Sequence, residues 1–267
     1  MREIERSEKM PLISIITVCF NARDVIEKTI ESVINQSYSL KEYIIIDGGS
    51  SDGTVNIVRQ YIDKISYFVS EPDKGIYDAM NKAIKIATGD WINFMNAGDV
   101  FLDTEVLTNL SGKLDRRFSF VYGNTICDYS GILIDRIPDD INCMQKHLPF
   151  SHQSVFIKSD YHKKHLYDIS YKVTADYNMF YQAYQDGEAF KYVNLDISIY
   201  EAEDGVSSNS YKTLYLEYAY IHGDVGARFF KYKYAIIVMW QQIKQLFKSF
   251  MPRLLKKYYY HIRLEKI

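Results

Sequence analysis

Between residues 13 and 103, four apolar runs each end in side chains that carry oxygen. ISIITVCF ends at Asn21, and YIII ends at Asp47 within IIIDGGSSDGT. ISYFVS ends at Glu71 and Asp73 within EPDKG, and WINFM ends at Asn96 and Asp99 within NAGD. Carboxylate and amide oxygens suit a divalent cation and the hydroxyls of a ribose better than they suit a bare anion. These residues can act together only if the runs are parallel strands of one sheet. The edge beyond the carboxyl ends of such strands is where open α/β sheets bind ligands.

The elements needed for that arrangement are legible in the spacing. Residues 13–20 are almost continuously apolar and rich in Ile, Val and Thr, which predicts a strand buried on both faces. Val25, Ile26, Ile30, Val33 and Ile34 recur at helical spacing within 23–36. Strands are expected at 43–46, 65–70 and 91–95. A helix capped by Asp52 or Thr54 should run to Tyr61, and another should span 76–88 with Gly89 as its stop. Strand starts recur about every 25 residues, the length of a βα unit, which implies parallel pairing through right-handed crossovers. After Asp103 the pattern changes. Residues 106–114 read as helix, 118–122 and 131–137 as strands around a turn, and 154–157 as a short strand. Residues 175–184 form a helix with an aromatic face, and 192–199 a last strand. The expected division is an arm at 1–10, one α/β domain at 11–207 and a helical tail at 208–267. The domain splits into a nucleotide-binding half, 11–103, and an acceptor half, 104–207, and SSNS marks the break before the tail.

With 267 residues, 47% hydrophobic and 25% charged, the chain can bury a sizeable core. A net charge of −2 hides an asymmetry: residues 227–267 hold ten Lys/Arg and one Glu, so that end carries +9 and the rest −11. Phe229, Ile236, Ile237, Trp240, Ile243, Phe247, Phe250, Met251, Leu254, Leu255 and Tyr258 recur there at steps of three and four, interleaved with lysines. A basic amphipathic helix with aromatics reads as interfacial membrane binding, kinked at Pro252; the alternative is a helix packed on the domain. No nucleic-acid-binding module accompanies the charge, so no such partner is expected. Cys19, Cys127 and Cys143 are odd in number and widely spaced, which supports neither a disulfide framework nor a zinc site; Cys19 reads as a buried small hydrophobe. The first ten residues lack the apolar core of a secretory signal, and no uninterrupted apolar stretch reaches spanning length. The expectation is a cytoplasmic protein, peripheral on the inner face of the cell membrane.

A doubly wound sheet points to a nucleotide, in one of three versions. A P-loop needs GxxxxGK[ST] after the first strand, but the loop there reads FNARD. A dinucleotide site needs GxGxxG, and the loop has no glycine, although Asp47 imitates the ribose-binding acid. The third version sets nucleoside contacts on the first two strand ends and a cation-held diphosphate at the fourth. It needs no glycine-rich loop, because the cation neutralises the phosphates.

PLISIITVCFN, the DGGSSDGT turn, EPDKGIYDAMNKAIKIATGDWINFMNAGD and TADYNMF together resemble the family 2 glycosyltransferases of GT-A fold, over roughly residues 11–205. The resemblance implies a mostly parallel central sheet flanked by helices, and an inverting hexosyltransferase. Such an enzyme moves a sugar from a nucleotide-diphosphate donor, with Mg²⁺ or Mn²⁺, in capsule, O-antigen or exopolysaccharide assembly. UDP-sugars are the expected donors, and a glycan or lipid-linked hydroxyl is the expected acceptor.

The resemblance carries over residue by residue. Thr17, Phe20 and Asn21 match a stretch that lines the nucleoside pocket. Asp47 matches the first acid of the usual DDGS and would bond the base or ribose; the second acid is Gly48 here. Asp52 reads as a helix cap. Asp73, Lys74 and Asp78 border the donor sugar and phosphates, with Lys74 offsetting diphosphate charge and Asp78 meeting a sugar hydroxyl. NAGD stands where the family has D-x-D-D, so the metal-ligand role falls on Asp99, and Asn96 can bond ribose. Asp176 in TADYN matches the catalytic acid and would take the proton of the acceptor hydroxyl. His152 and Gln153 in SHQSVF would line the acceptor site, and Gly205 lies in a loop that closes over the donor. Two other classes compete: a nucleotide-sugar-binding protein without transfer activity, and a nucleotidyltransferase, for which FNAR supplies only Arg23.

Overall fold

The structure, a computed structural model, describes residues 10–129, 131–201 and 210–249. The expected strands and helices of the first half form in order: β1 (Ile13–Cys19), α1 (Ile26–Ile34), β2 (Lys41–Asp47), α2 (Thr54–Gln60), β3 (Tyr67–Ser70), α3 (Ile76–Ile86) and β4 (Trp91–Phe94). All pairings among these strands are parallel, in the spatial order β3-β2-β1-β4. Strand order therefore reverses beside β1, which creates a switch-point crevice at the carboxyl edge.

The second half completes the sheet with β5 (Val100–Phe101), α4 (Val106–Ser111), β6 (Phe120–Asp128), β7 (Leu133–Arg136), β8 (Val155–Lys158), α5 (Ser159–His162), α6 (Ala175–Gln185) and β9 (Phe190–Glu201). The order continues β4-β8-β6-β9-β5, with β7 on β6. Here β8 joins β4 and β6 antiparallel, and only β6 and β9 pair in parallel, so the sheet as a whole is mixed. Residues 95–99 alone separate β4 from β5, yet β5 pairs with β9 at the other end of the order. The sheet curls, and the NAGD turn sits where it closes.

Both faces of the sheet are covered, as the unbroken apolar runs require. Ile16, Val18, Ile44, Ile46, Ile92 and Phe94 pack under α3 and α6, whose Tyr77, Met80, Tyr177 and Phe180 face them. Ile13, Ile15, Tyr43, Ile45 and Trp91 pack under α1, α2 and α4 through Ile26, Ile30, Val58 and Leu107. Each fully buried side chain of this kind contributes about 1.5–3 kcal/mol relative to exposure.

Three expectations change in detail. The helix over 76–86 stops at Ile86, three residues before Gly89. Gly89 instead allows close approach: a Cβ there would stand 2.6 Å from both Ser14 N and Ser14 Oγ. The N-cap of α2 is Gly53 at φ 104°; Asp52 accepts from the Thr54 backbone N–H and hydroxyl and from Arg23 N–H, stitching α2 to the loop after β1. Beyond the domain, two helices follow, α7 (Tyr211–Ile221) and α8 (Phe230–Ser249). The segment expected to open a separate tail at 208 starts with a helix built into the domain. The α7 residue Glu217 is buried, and Tyr218 stacks on Tyr177 of α6 with ring centroids 4.3 Å apart.

Candidate active site

The four strand ends lie side by side, and their clusters share one edge. At the end of β1, Thr17 is fully buried; its hydroxyl donates to the Met95 carbonyl at 2.7 Å and lies 3.0 Å from the Tyr43 hydroxyl. The expectation that Thr17 lines the pocket is corrected: it ties β1 to the end of β4 from beneath. Phe20 projects into solvent, 64% exposed. Asn21 adopts φ 48°, a left-handed conformation that asparagine tolerates. Its backbone N–H donates to Ser50 Oγ and its Oδ1 accepts from Ser51 N–H, locking the β1 loop to the DGGSS turn.

Asp47 is buried, and its oxygens accept from Gly49 N–H, Ser50 N–H, Ser50 Oγ and Ser70 Oγ at 2.5–3.1 Å. Burial alone would raise this carboxyl, but the Ser50 and Ser70 hydrogen bonds outweigh it and hold it below the usual carboxylate range. The DGGSS turn and Ser70 of β3 thus engage the oxygens that the expectation assigned to the base or ribose. Asp73 occupies the space that an acid at position 48 would fill. A Cβ on Gly48 would stand 2.5 Å from Asp73 Oδ2 and 3.4 Å from the Phe20 ring. Asp73 Oδ1 accepts from Gly75 N–H, and Asp78 Oδ2 accepts from Lys74 N–H, so the EPDKG loop is held by its own carboxylates while the Lys74 side chain stays exposed.

At the fourth strand end, Asp99 is buried, and burial pushes its carboxyl up to about 7 against the Gln153 side-chain hydrogen bond and the Lys28 charge, which both lower it. Asn96 Oδ1 is a buried oxygen with no hydrogen-bond partner, one turn before Asp99, whose N–H donates to the Asn96 carbonyl. Among the described residues, no three His, Cys, Asp or Glu side chains gather where they could hold a metal ion. An ionised Asp99 and an unpartnered amide oxygen nonetheless fit a hard cation whose remaining ligands come from a bound diphosphate.

Across the crevice, α6 presents Asp176 in its first turn. The Tyr77 hydroxyl, on α3, lies 2.9 Å from Asp176 Oδ1 and 2.8 Å from the Val173 carbonyl, sharing one proton between two acceptors. Asn81, one turn along, grips the Tyr167 backbone from both sides. Thus α3, which begins at the third strand end, reaches across to the acid. The SHQS segment comes between the two centres. His152 is buried, stacks on Phe94 and lies 2.9 Å from the Tyr167 hydroxyl; burial keeps its pKa below the ordinary value. This corrects its expected place on the acceptor surface. The Gln153 side chain lies near enough to Asp99 to favour its ionised form. Gly205 lies outside the described residues. The sequence reading missed Tyr77 and Glu217, whose partners are 99 and 43–45 residues away and leave no local spacing signal.

The family model described as glycosyl transferase family 2 matches residues 14–179. An uncharacterized glycosyltransferase of Mycobacterium tuberculosis is 41% identical over 108 residues, 39% of this chain and 41% of that protein. The putative teichuronic acid biosynthesis glycosyltransferase TuaG of Bacillus subtilis is 35% identical over 130 residues, 47% of this chain and 52% of that protein. The UDP-Glc:alpha-D-GlcNAc-diphosphoundecaprenol beta-1,3-glucosyltransferase WfgD of Escherichia coli is 35% identical over 114 residues, 42% of this chain and 45% of that protein. The chain thus spans about half or less of the length of these relatives. Among solved structures, S. aureus TarS with UDP-GlcNAc superposes with a TM-score of 0.63 at 15% identity, over 82% of this chain and 72% of that one. The mannosyltransferase PcManGT of Pyrobaculum calidifontis, solved with GDP-Man and Mn²⁺, gives 0.61 at 15% identity, over 80% and 64%. Those likenesses concern the fold, which is GT-A. With its family model matched over most of the domain, the chain belongs to glycosyl transferase family 2.

Proposed function

We propose that this glycosyltransferase inverts the anomeric carbon as it moves a sugar from a nucleoside-diphosphate donor to the hydroxyl of a glycan or lipid-linked acceptor, in surface polysaccharide assembly. The observation that carries the reading is the hold of Tyr77 on Asp176: the Tyr77 hydroxyl of α3, the helix that begins at the third strand end, lies 2.9 Å from Asp176 Oδ1 in the first turn of α6. The Asp176 carboxylate takes the acceptor hydroxyl proton as that oxygen attacks the anomeric carbon. The bond from that carbon to the phosphate oxygen breaks, and the nucleoside diphosphate leaves. A divalent cation held by Asp99, with Asn96 Oδ1 beside it, would neutralise the charge that develops on the leaving diphosphate. Lys74 adds a positive side chain at the third strand end, and Asp78, whose Oδ2 accepts from Lys74 N–H, would meet a sugar hydroxyl with its other oxygen.

The proposed base contacts suit uracil or guanine, and uridine is the donor base expected of the two. Asp73 Oδ2 beside the exposed Phe20 ring is an acceptor next to an aromatic platform. Uracil and guanine carry an imino N–H for such an acceptor, whereas cytosine and adenine present a ring-nitrogen lone pair there. The solved complexes of TarS with UDP-GlcNAc and of PcManGT with GDP-Man support this class of base. A lipid-linked acceptor is supported by WfgD, a glucosyltransferase for GlcNAc-diphosphoundecaprenol. It also suits α8, whose Phe229-to-Trp240 stretch exposes Phe229, Tyr232, Ile236, Met239 and Trp240 at steps of one to four beside Arg228, Lys231 and Lys233. Among the described residues no helix is long and apolar enough to cross a membrane, so an interfacial role is the one proposed for it.

Thermal shift with UDP-, GDP-, CDP- and ADP-linked sugars, with and without Mn²⁺, tests the reading. Stabilisation by uridine donors that needs Mn²⁺ and vanishes in Asp99→Ala is expected, and Asp176→Asn should bind donor but lose turnover by at least about 10²-fold. Normal turnover in Asp176→Asn removes the base. A second reading, donor binding without transfer, rests on the single carboxylate of NAGD; stabilisation without release of nucleoside diphosphate under any acceptor would select it.

A further inference from the structure

Helix α6 carries the proposed base, but nothing on α6 secures its entry. The residue that caps it, Thr174, makes no capping bond with its own side chain. The bonds come instead from Glu217, on α7. Its Oε1 accepts from Lys172 N–H at 2.6 Å, and its Oε2 from Val173 N–H and Thr174 N–H at 3.0 Å and from the Thr174 hydroxyl at 2.9 Å. Three consecutive N–H groups converge on one buried carboxylate, and such charge-assisted bonds are the strong ones. On the opposite side of the same peptides, the Val173 carbonyl takes part of the Tyr77 proton that also holds Asp176. The segment 172–174 is therefore clamped on its N–H side by Glu217 and on its carbonyl side by Tyr77, and Asp176 follows two residues later. The α7 helix is fixed along α6 by Tyr177, which stacks on Tyr218 and lies 2.9 Å from His222 Nε2 through its hydroxyl.

We infer that Glu217 is a positioning residue for Asp176, so that the C-terminal helix α7 is part of the catalytic apparatus rather than an appendage. The inference rests on the reading of Asp176 as the base. A carboxylate that must meet an acceptor hydroxyl in line with the anomeric carbon tolerates little displacement, and misplacement by about 1 Å costs on the order of 10²-fold. Glu217 touches none of the four strand ends, so donor affinity should not depend on it.

The test uses the full chain, UDP- and GDP-sugars with Mn²⁺, a panel of soluble glycans and lipid-linked saccharides as acceptor hydroxyls, and release of nucleoside diphosphate as the readout. Glu217→Gln keeps size and one acceptor oxygen but replaces the other by a donor facing N–H groups. Turnover should fall about 10- to 100-fold with donor KM within about twofold of wild type, and hydrogen exchange should quicken at Lys172, Val173 and Thr174. In an Asp176→Asn background the same change should cost nothing more, because both act through one carboxylate. Turnover within twofold of wild type in Glu217→Gln, or a parallel change in kcat and KM, overturns the inference while leaving an inactive Asp176→Asn and the base assignment intact. Normal turnover in Asp176→Asn, or no release by wild type from any donor, overturns the base reading and this inference with it.

Discussion

Asp47 and Asp99 end neighbouring units of the same sheet, yet their surroundings push them in opposite directions. Asp47 is held below the usual carboxylate range, against its burial, by Ser50 of its turn and Ser70 of β3, while burial pushes Asp99 up to about 7 against the Gln153 side chain and the Lys28 charge. A carboxyl whose folded value lies above its unfolded one stabilises the fold fully below about pH 4, and that contribution is lost as pH rises through about 7. The metal-free protein should therefore lose stability over that window, and Asp99→Asn should remove the loss. Its Tm at pH 8 should exceed that of wild type by roughly 2–4 °C for each kcal/mol relieved, and the gap should narrow at pH 5 and close only below about pH 4. Thermal melts at the two pH values check this; equal melting at pH 8 would show that Asp99 bears no burial cost. Asp73 makes the complementary point: its carboxylate stands where Gly48 leaves room, so the acid that the DGGS turn lacks is supplied from the next loop.

At the level of elements, α3 does the joining. It starts at the third strand end, and through Tyr77 and Asn81 it grips the segment that leads into α6. The β1–β4 pair is braced at its other end by Gly89, whose N–H donates to Ser14 Oγ at 2.9 Å. A methyl at that position would press on the Ser14 backbone and on the Leu12 carbonyl. Gly89→Ala should cost about 1–3 kcal/mol, read as a lowered urea midpoint with unchanged slope. A midpoint equal to wild type would mean that the β1–β4 register yields there. The sequence placed a stop at Gly89 because glycine commonly ends helices; the close strand-to-loop approach that also demands glycine is a tertiary contact that no local pattern reports.

For the whole molecule, the two C-terminal helices divide their work. Helix α7 faces inward through Glu217, Tyr218 and His222, while α8 turns an aromatic, basic face outward. Two perturbations should therefore separate. Trp240→Glu should weaken sedimentation with phosphatidylglycerol vesicles but leave turnover on a soluble acceptor near wild type. Removing the chain from residue 210 should abolish both. Vesicle binding unchanged in Trp240→Glu would assign the exposed face to another partner. The amphipathic period and the charge of this region were plain in the sequence. Which helix packs and which stays exposed was not, because both carry aromatics at helical spacing, and only the fit against α6 distinguishes them.

The sequence by itself determined the βα repeat, the parallel order of the first four strands and the common edge of their polar ends, because hydrophobic period and strand-to-helix alternation are local properties that leave few topologies. It also singled out Asp99 and Asp176 by motif. Tertiary structure alone decided which of the singled-out residues face the crevice. Thr17 and His152 are buried on partners from other elements, Asp47 is engaged by its own turn and by Ser70, and Tyr77 with Glu217 holds Asp176 and the segment before it. Such pairings join residues far apart in the chain, and their geometry exists only once the sheet has curled and the helices have packed on it.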